Sequence, residues 1–363
     1  MSAYDLCIVG SGITALSIAY EAQTRGYRVC LLQKKRAGAA SIAAAGMLTP
    51  MFEVDSAQKP LMSFCVQSAK KYPKWISDIE EQSNISCGYQ SNGTLLVALY
   101  QDHLSELEQM EAFQRELGLQ TERLSKGEVQ RREPALASRQ VGALWAKDDH
   151  CVEPRKLMNA LTKIIQQKGG SFYKYEDLQF LKENNHITGC HISDLLTIQG
   201  RQYVIAEGAW TTDFDEELPL RPVKGQYLIV KGFPELLNCT IRTPDVYIVP
   251  RKQGVYYIGA TMEEEGFETH KTAGAALDLL YHTWQIFRGV YEMEIVEHGV
   301  GFRPALVDNQ PLYDKTSFDN VFVCTGQYRH GVLIAPEGAQ LMLNILEGKI
   351  RTSPFPKSRF HEK

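Results

Sequence analysis

The stretch YDLCIVGSGITA, residues 4–15, decides the fold. Its first six residues are mostly apolar and β-branched towards their end, which is typical of a buried parallel strand. A helical pattern then extends from Ile13 to Arg25, Gly26 ends it, and residues 28–32 form a second apolar run. A strand, a glycine turn, a helix and a strand thus follow one another within one short segment.

This order, with the spacing Gly-x-Gly-x-x-Ala, predicts a Rossmann-type unit that binds a dinucleotide. Gly10 permits the tight turn, Gly12 lets backbone N–H groups approach a pyrophosphate, and Ala15 allows the helix to pack closely on the strand. The diphosphate is then expected at the positive end of the helix dipole. The alternative is a turn that is merely tight and binds nothing.

The residue at the end of the second strand departs from the usual pattern. Dinucleotide sites commonly carry a carboxylate there for the ribose hydroxyls, whereas this chain has Gln33, which offers one acceptor oxygen and no charge. Because Lys34, Lys35 and Arg36 follow, a 2′-phosphate and therefore NADP is one alternative. The plainer interpretation is that Gln33 still bonds the ribose beside a solvated basic edge.

Length and composition favour an ordinary two-lobed enzyme. The chain has 363 residues and a formal net charge of −4, without the basic stripe that nucleic-acid binding requires. It has no apolar run of the ~18 residues that a membrane span requires, and its N-terminal residues lack a signal-peptide pattern. The eight cysteines lack metal-ligand spacing, which indicates buried thiols in a reducing compartment. We therefore expect a cytoplasmic enzyme that binds neither nucleic acid nor membranes.

Residues 37–50, AGAASIAAAGMLTP, are unusually rich in small side chains, which suits a loop lying against a flat cofactor. Here the chain resembles the D-amino-acid oxidase superfamily of FAD-dependent oxidoreductases, and most closely its glycine oxidase branch associated with thiamine biosynthesis. Members of that branch carry Ser-x-Ala-Ala-Ala-Gly-Met-Leu-x-Pro at this point. The resemblance implies FAD as cofactor, with the isoalloxazine and pyrophosphate contacted by residues of this segment: Ser41, Ala44, Ala45, Gly46 and Met47.

Four later parts of the chain carry the same resemblance in the same order. They are VEPR at 152–155, AEGAW at 206–210, the strands that include PVKGQ at 222–226 and YIVPR at 247–251, and GFRP at 301–304 with GQYRHGVLIAP at 326–336. The resemblance places Gly208 in a turn of the flavin domain. It also implies that the last block wraps the pyrimidine edge of the flavin through Gly331, Val332, Leu333 and Ile334.

The resemblance implies an α/β fold with a Rossmann-type FAD-binding domain and a second, substrate-binding domain built on an antiparallel β-sheet with helices. The FAD-binding domain would be discontinuous and comprise residues 1–85, 150–221 and 300–363. The substrate-binding domain would comprise residues 86–149 and 222–299. Strand-like runs with polar breaks in the second set agree with this division.

The charge-rich stretch at residues 101–132 carries apolar residues at helical spacing, such as Leu104, Leu107, Met110 and Leu117. This pattern predicts a solvated amphipathic helical stretch. A helix that binds a partner is the alternative.

Three residues are the candidates for substrate binding. An amino acid presents a carboxylate, and the planar fork of an arginine can grip it in two places. The resemblance of the GFRP block makes Arg303 the first candidate for this grip. The resemblance adds the hydroxyl of Tyr247 on the same carboxylate and Arg329 as a second pocket arginine. The alternatives are a core tyrosine and a structural arginine. His330 is either an acid–base group or, as is more common for a lone histidine, a structural residue.

The leading hypothesis is FAD-dependent oxidative deamination of glycine or another small amino acid or amine, with hydride transfer to the flavin and reoxidation by molecular oxygen to hydrogen peroxide. One alternative is an amine dehydrogenase or tailoring flavoenzyme acting on a larger substrate, even a protein residue, because Thr49, Gln327 and His330 depart from the family pattern near the expected flavin face. Another is a non-catalytic flavin- or NADP-binding regulatory or maturation factor. A homo-oligomer is left open.

Overall fold

The computed structural model describes residues 4–53, 58–116 and 119–360. Its strands are β1 (Tyr4–Val9), β2 (Val29–Gln33), β3 (Met47–Leu48), β4 (Thr94–Ala98), β5 (Glu122–Ser125), β6 (Gly142–Ala146), β7 (His150–Cys151), β8 (Ser171–Lys174), β9 (Gln179–Glu183), β10 (His186–Ser193), β11 (Leu196–Ile198), β12 (Gly200–Ile205), β13 (Leu220–Lys231), β14 (Thr240–Arg242), β15 (Tyr247–Pro250), β16 (Val255–Gly259), β17 (Glu294–Leu306), β18 (Leu312–Lys315) and β19 (Val321–Thr325). Its α-helices are α1 (Ile13–Thr24), α2 (Ala40–Ala43), α3 (Pro50–Glu53), α4 (Lys59–Ser83), α5 (Gln101–Glu116), α6 (Lys126–Arg132), α7 (Pro154–Gln167), α8 (Ala273–Ile286) and α9 (Ala335–Leu346).

The first sheet is six-stranded, with the order β18-β19-β12-β1-β2-β8. Strand β1 pairs in parallel with β2 on one side and with β12 on the other. Its residues from Leu6 to Val9 are fully buried. Helices α1, α7 and α9 pack together on the face of Leu6 and Ile8, and a three-stranded sheet, β11-β10-β9, covers the face of Cys7 and Val9. The predicted βαβ unit is confirmed, with the helix ending at Thr24 instead of Arg25.

The second sheet is eight-stranded, with the order β17-β13-β16-β15-β14-β4-β6-β5. All neighbouring strands in it are antiparallel except β14 and β4, which are parallel. A hairpin does not fix the relative direction of β4 and β14, because they come from distant parts of the chain. The predicted fold class is confirmed, with this one parallel pair as the exception to an antiparallel sheet.

Two long strands, β13 and β17, connect the two halves of the molecule. They pair from Leu220 opposite Leu306 to Lys231 opposite Glu294. One apolar core surrounds β1 and α1, and a separate one surrounds β4, β14 and β16. The boundaries expected after residues 221 and 299 fall inside the two long strands, and the division into domains stays a prediction.

The charge-rich stretch at 101–132 is not one helical segment. Helix α5 ends at Glu116, β5 follows, and α6 begins after Ser125, which forms a capping box with Glu128. The expectation failed because β5 pairs with β6, a tertiary contact that local spacing does not report. Leu117 lies outside the described residues.

The described thiols are buried, as expected. All eight cysteines are buried and none forms a disulfide. In the described part of the chain, no helix combines the length and apolar character needed to span a bilayer.

Candidate functional site

A cavity of about 680 Å³ lies between the glycine turn and the large sheet. Most of the predicted site residues line its wall: Gly12, Gln33, Ser41, Ala44, Ala45, Gly46, Met47, Gly208, Tyr247, Arg303, Arg329, Gly331, Val332 and Leu333. Three others lie behind the wall, since Ala15 and Ile334 are fully buried in the first core and the buried Gly10 directly follows β1. The chain thus brings both predicted groups, cofactor-binding and substrate-binding, to one cavity.

The glycine turn leaves no room for a side chain at its first glycine. Gly10 has φ +129°, and a Cβ there would lie 2.4 Å from the carbonyl oxygen of Ala206. The N–H of Ile13 donates to Ser41 Oγ at 3.0 Å, so Ser41 contacts the first turn of α1. Because Gly12 and Ser41 line the cavity, the N-terminus of α1 opens onto it with its partial positive charge.

The basic residues after Gln33 are only partly available to a phosphate. Arg36 Nη2 pairs with Asp213 at 2.6 Å and with Glu207 at 3.4 Å. Lys34 Nζ donates to a backbone carbonyl at 2.6 Å. A 2′-phosphate at Arg36 would meet those two carboxylates, so the geometry favours a ribose without that phosphate.

The segment from Ala39 to Met47 lines one wall of the cavity. Gly46 has φ +74°, and a Cβ there would lie 2.1 Å from the carbonyl oxygen of Val152, so a larger residue does not fit. Thr49 is fully buried and is not among the residues that line the cavity. The expectation that Thr49 lies on the flavin face is therefore wrong. Its carbonyl instead accepts a hydrogen bond from Phe52 in α3.

Arg303 and Tyr247 meet at the far end of the cavity, on the large sheet. Arg303 Nη1 donates to the carbonyl oxygen of Thr261 at 3.1 Å, and the guanidinium lies so close to Gly225 that a Cβ there would be 2.5 Å from Nη1. The Tyr247 hydroxyl lies over Gly259 in the same way, with a distance of 2.4 Å to a Cβ built there. Burial raises the pKa of Tyr247, and the charge of Arg303 opposes that rise. The two glycines thus make space for the two polar side chains.

Arg329 and His330 occupy the same end of the cavity but differ in environment. Arg329 is exposed and lines the cavity, with its guanidinium 5.8 Å from the centre of the Tyr328 ring. His330 is buried, and this burial together with the charge of Arg329 lowers its pKa to about 3. The imidazole is therefore neutral at neutral pH, which favours the structural alternative over an acid–base role.

Hydrogen bonds fix the positions of Gln327 and of the turn that follows it. Gln327 is buried and its Nε2 donates to Cys324 Sγ at 3.2 Å. The carbonyl of Val332 accepts from the Tyr72 hydroxyl, and that of Leu333 accepts from Ser68 Oγ at 2.7 Å. Helix α4 therefore fixes the backbone of this turn, which leads into the N-terminus of α9.

Sequence reasoning missed the buried Arg242. Its Nη1 lies 3.9 Å from Met47 Sδ, and burial together with the charge of Arg329 lowers its pKa to about 9. With Arg303 it adds to a positive potential at this end of the cavity, which suits an anionic group. The only signal was an arginine in the short strand β14, all of whose residues are buried, where a charged side chain is uncommon.

Sequence reasoning also missed a column of three tyrosine rings on the large sheet. Tyr227 and Tyr257 stack with their ring centres 4.8 Å apart, and Tyr257 and Tyr247 stack at 6.3 Å. All three line the cavity. Alternation along β13, β15 and β16 could have placed them on one face, but not in contact.

Comparison with known proteins supports the resemblance. The family described as DAO, FAD dependent oxidoreductase, matches residues 5–345. The bifunctional protein ThiO/ThiG of Trichormus variabilis is 31% identical over 99% of this chain and 55% of its own length. The glycine oxidase of Geobacillus kaustophilus is 30% identical over 98% of this chain and 97% of its own length. The chain therefore spans about half the length of the bifunctional relatives it matches and nearly all of this oxidase.

Solved structures agree with the sequence relatives. The crystal structure of glycine oxidase from Geobacillus kaustophilus superposes with a TM-score of 0.90 at 28% identity, covering 99% of this chain and 98% of that one. The match includes both sheets, since coverage is nearly complete in both directions.

Proposed function

The chain belongs to the DAO family of FAD-dependent oxidoreductases, and on that premise we propose that it oxidises glycine or another small amino acid in the cavity described above. The main observation that supports this proposal is that Arg303 and Tyr247 meet at one end of the cavity and the glycine turn lies at its other end. The chemistry that bound FAD would supply is acceptance of a hydride from the substrate Cα and transfer of the two electrons to molecular oxygen, with hydrogen peroxide as product. The resulting imine hydrolyses to an oxo acid and ammonia.

The residues of the cavity fit FAD. The N-terminus of α1, with Gly12 and Ser41, supplies positive dipole and N–H groups for a diphosphate. Gln33 stands at the end of β2, where it can bond ribose hydroxyls. The small side chains of Ala44 and Ala45 leave a flat wall for a planar ring.

In this proposal Arg303 binds the substrate carboxylate. Its Nη1 is already oriented by the carbonyl of Thr261, which fixes the plane of the fork, and its remaining N–H groups grip the two carboxylate oxygens. Tyr247 donates its hydroxyl proton to the same carboxylate. The high pKa of this buried phenol keeps that proton in place. Together they orient the Cα–H towards the cofactor wall.

Bulky side chains support a small substrate. Met47, Tyr247 and Tyr328 all line the same cavity as Arg303. Relatives named glycine oxidase support the same substrate class. Of the departures that had kept a larger substrate open, Thr49 is fully buried and does not line the cavity, whereas Gln327 and His330 do line it.

The experiment is a panel of glycine, sarcosine and both enantiomers of alanine and proline, with hydrogen peroxide and oxygen uptake measured together. We expect peroxide in proportion to substrate consumed, with glycine or another small member preferred. A flavin that is reduced by substrate but stays reduced in air would replace the oxidase with a dehydrogenase that uses another acceptor. A flavin that no member reduces would favour a non-catalytic role.

A further inference from the structure

We propose that Arg251 is a positioning residue that sets the direction of the Ala45–Gly46 peptide on the cavity wall. Arg251 directly follows β15, and its Nη2 donates to the carbonyl oxygen of Ala45. It thus reaches from the large sheet to the segment that precedes β3. The proposal rests on the FAD of the family and is independent of which amine is oxidised.

The planarity of the peptide converts this contact into a direction for an N–H group. In a trans peptide, the C=O of Ala45 and the N–H of Gly46 point in opposite directions. Ala45 and Gly46 line the cavity, whereas Arg251 is not among its described lining residues and lies behind the wall. A carbonyl that points back to Arg251 therefore directs the Gly46 N–H towards the cavity.

Local sequence alone does not fix this peptide. Gly46 has φ +74° and no side chain, and Ala45 is small, so neither residue holds the backbone by packing a large side chain. Neighbouring carbonyls are also hydrogen-bonded, since the cavity-lining Tyr257 donates its hydroxyl to Ala43 and the N–H of Val152 donates to Gly46 at 2.9 Å. Of these three contacts, only the one at Ala45 comes from a charged donor.

Part of the charged guanidinium of Arg251 is buried, which is energetically unfavourable. Its Nη1 is buried and has no nitrogen or oxygen acceptor among the described residues. Burial raises the pKa of the neighbouring Cys151 thiol, and the positive charge of Arg251 opposes that rise. A neutral side chain could fill the space without this cost, so the guanidinium points to an electrostatic role.

That role follows from the polarisation of a hydrogen-bonded peptide. A charged donor on the C=O makes the opposite N–H more positive, because hydrogen bonds in a chain strengthen one another. A fixed, polarised N–H on the cavity wall is suited to stabilise negative charge on a reduced cofactor ring. Arg251 therefore influences the redox potential of the cofactor without contacting it.

The test uses the full-length protein and requires no substrate. For Arg251→Gln, we expect the FAD dissociation constant, measured by flavin fluorescence, to rise about tenfold, the strength of one charge-assisted hydrogen bond. The flavin midpoint potential, measured by reductive dye titration, should become more negative. The unfolding midpoint of the FAD-free protein should change little, because the contact serves the cofactor.

Three further variants separate this role from a structural one. Arg251→Lys keeps the charge and should restore most of the potential. Tyr257→Phe removes a neutral donor from the same segment and should change FAD affinity only two- to threefold. Lys252→Gln alters the exposed neighbour and should change nothing. Unchanged affinity and potential in Arg251→Gln, or FAD-free protein destabilised as much as the FAD-loaded form, would overturn the proposal.

Discussion

The two ends of the cavity are built in opposite ways. At the glycine turn, the cavity is formed by backbone without large side chains, from residues that are close together in sequence: Gly12 lines the wall and Gly10 lies directly behind it. At the far end it is made of long polar side chains, Tyr247 and Arg303, which come from different strands and lie over glycines. Adding an atom should therefore disrupt the end at the glycine turn, whereas removing a polar group should disrupt the far end.

The largest expected effect comes from adding one methyl group at the first end. In Gly10→Ala the new Cβ would lie 2.4 Å from the Ala206 carbonyl oxygen at φ +129°, so we expect a loss of about 3 kcal/mol or more in the free energy of unfolding. Gly26→Ala is the matched control, because its φ is +86° but nothing lies within 4 Å. It should cost only about 1 kcal/mol. Equal losses in urea unfolding would contradict the steric account.

The next effect concerns the buried histidine at the second end. The pKa of His330 is about 3 in the folded protein against an ordinary value of about 6.5, so the unfolded chain binds its proton first as the pH falls. Its contribution to stability is complete above about pH 6.5 and is lost progressively towards pH 3. Between pH 7 and pH 5 the loss should be about 2 kcal/mol.

His330→Asn should remove this part of the pH dependence, whatever its effect on stability at neutral pH. Urea unfolding of both proteins at pH 7 and pH 5 gives the difference directly. If the two proteins lost the same free energy over that interval, His330 would titrate normally and could again be considered as an acid–base group.

The smallest effect tests the polar side chains at the second end. Tyr247→Phe removes one hydroxyl from the proposed carboxylate site, which should weaken transition-state binding by about 1 kcal/mol. We therefore expect kcat/KM for the preferred amino acid to fall roughly fivefold, mainly because KM rises. Tyr256→Phe is the control, since that buried hydroxyl donates to the carbonyl of Phe233 at 2.7 Å, outside the cavity lining. A larger fall for Tyr256→Phe would assign Tyr247 to the core.

The contrast between the two ends also explains what the sequence could reveal. The glycine turn is contiguous, and each residue type in it has a local reason, so the βαβ unit was predicted almost to the residue. Arg303 and Tyr247 were proposed only from a resemblance, because the pairing of distant strands brings them together.

The failures have the same cause. Strand β5 was missed because its partner β6 lies outside the local pattern. Thr49 was misplaced because the cavity lining of this segment ends at Met47 and Thr49 itself is fully buried. Arg242 and Arg251 gave no sequence signal of their contacts with Met47 and Ala45. Side chains that act across the sheet are visible only after the fold is built.

The central claim is that Arg303 holds the substrate carboxylate in an FAD-dependent amine oxidation. The most direct measurement is anaerobic flavin reduction by glycine and by glycinamide, which lacks the carboxylate, in the wild-type protein and in Arg303→Ala. We predict that the wild type prefers glycine and that this preference falls by about 2–4 kcal/mol in the variant, or roughly 30- to 800-fold. A preference for glycine that survives in Arg303→Ala, or wild-type flavin that neither compound reduces, would contradict the account.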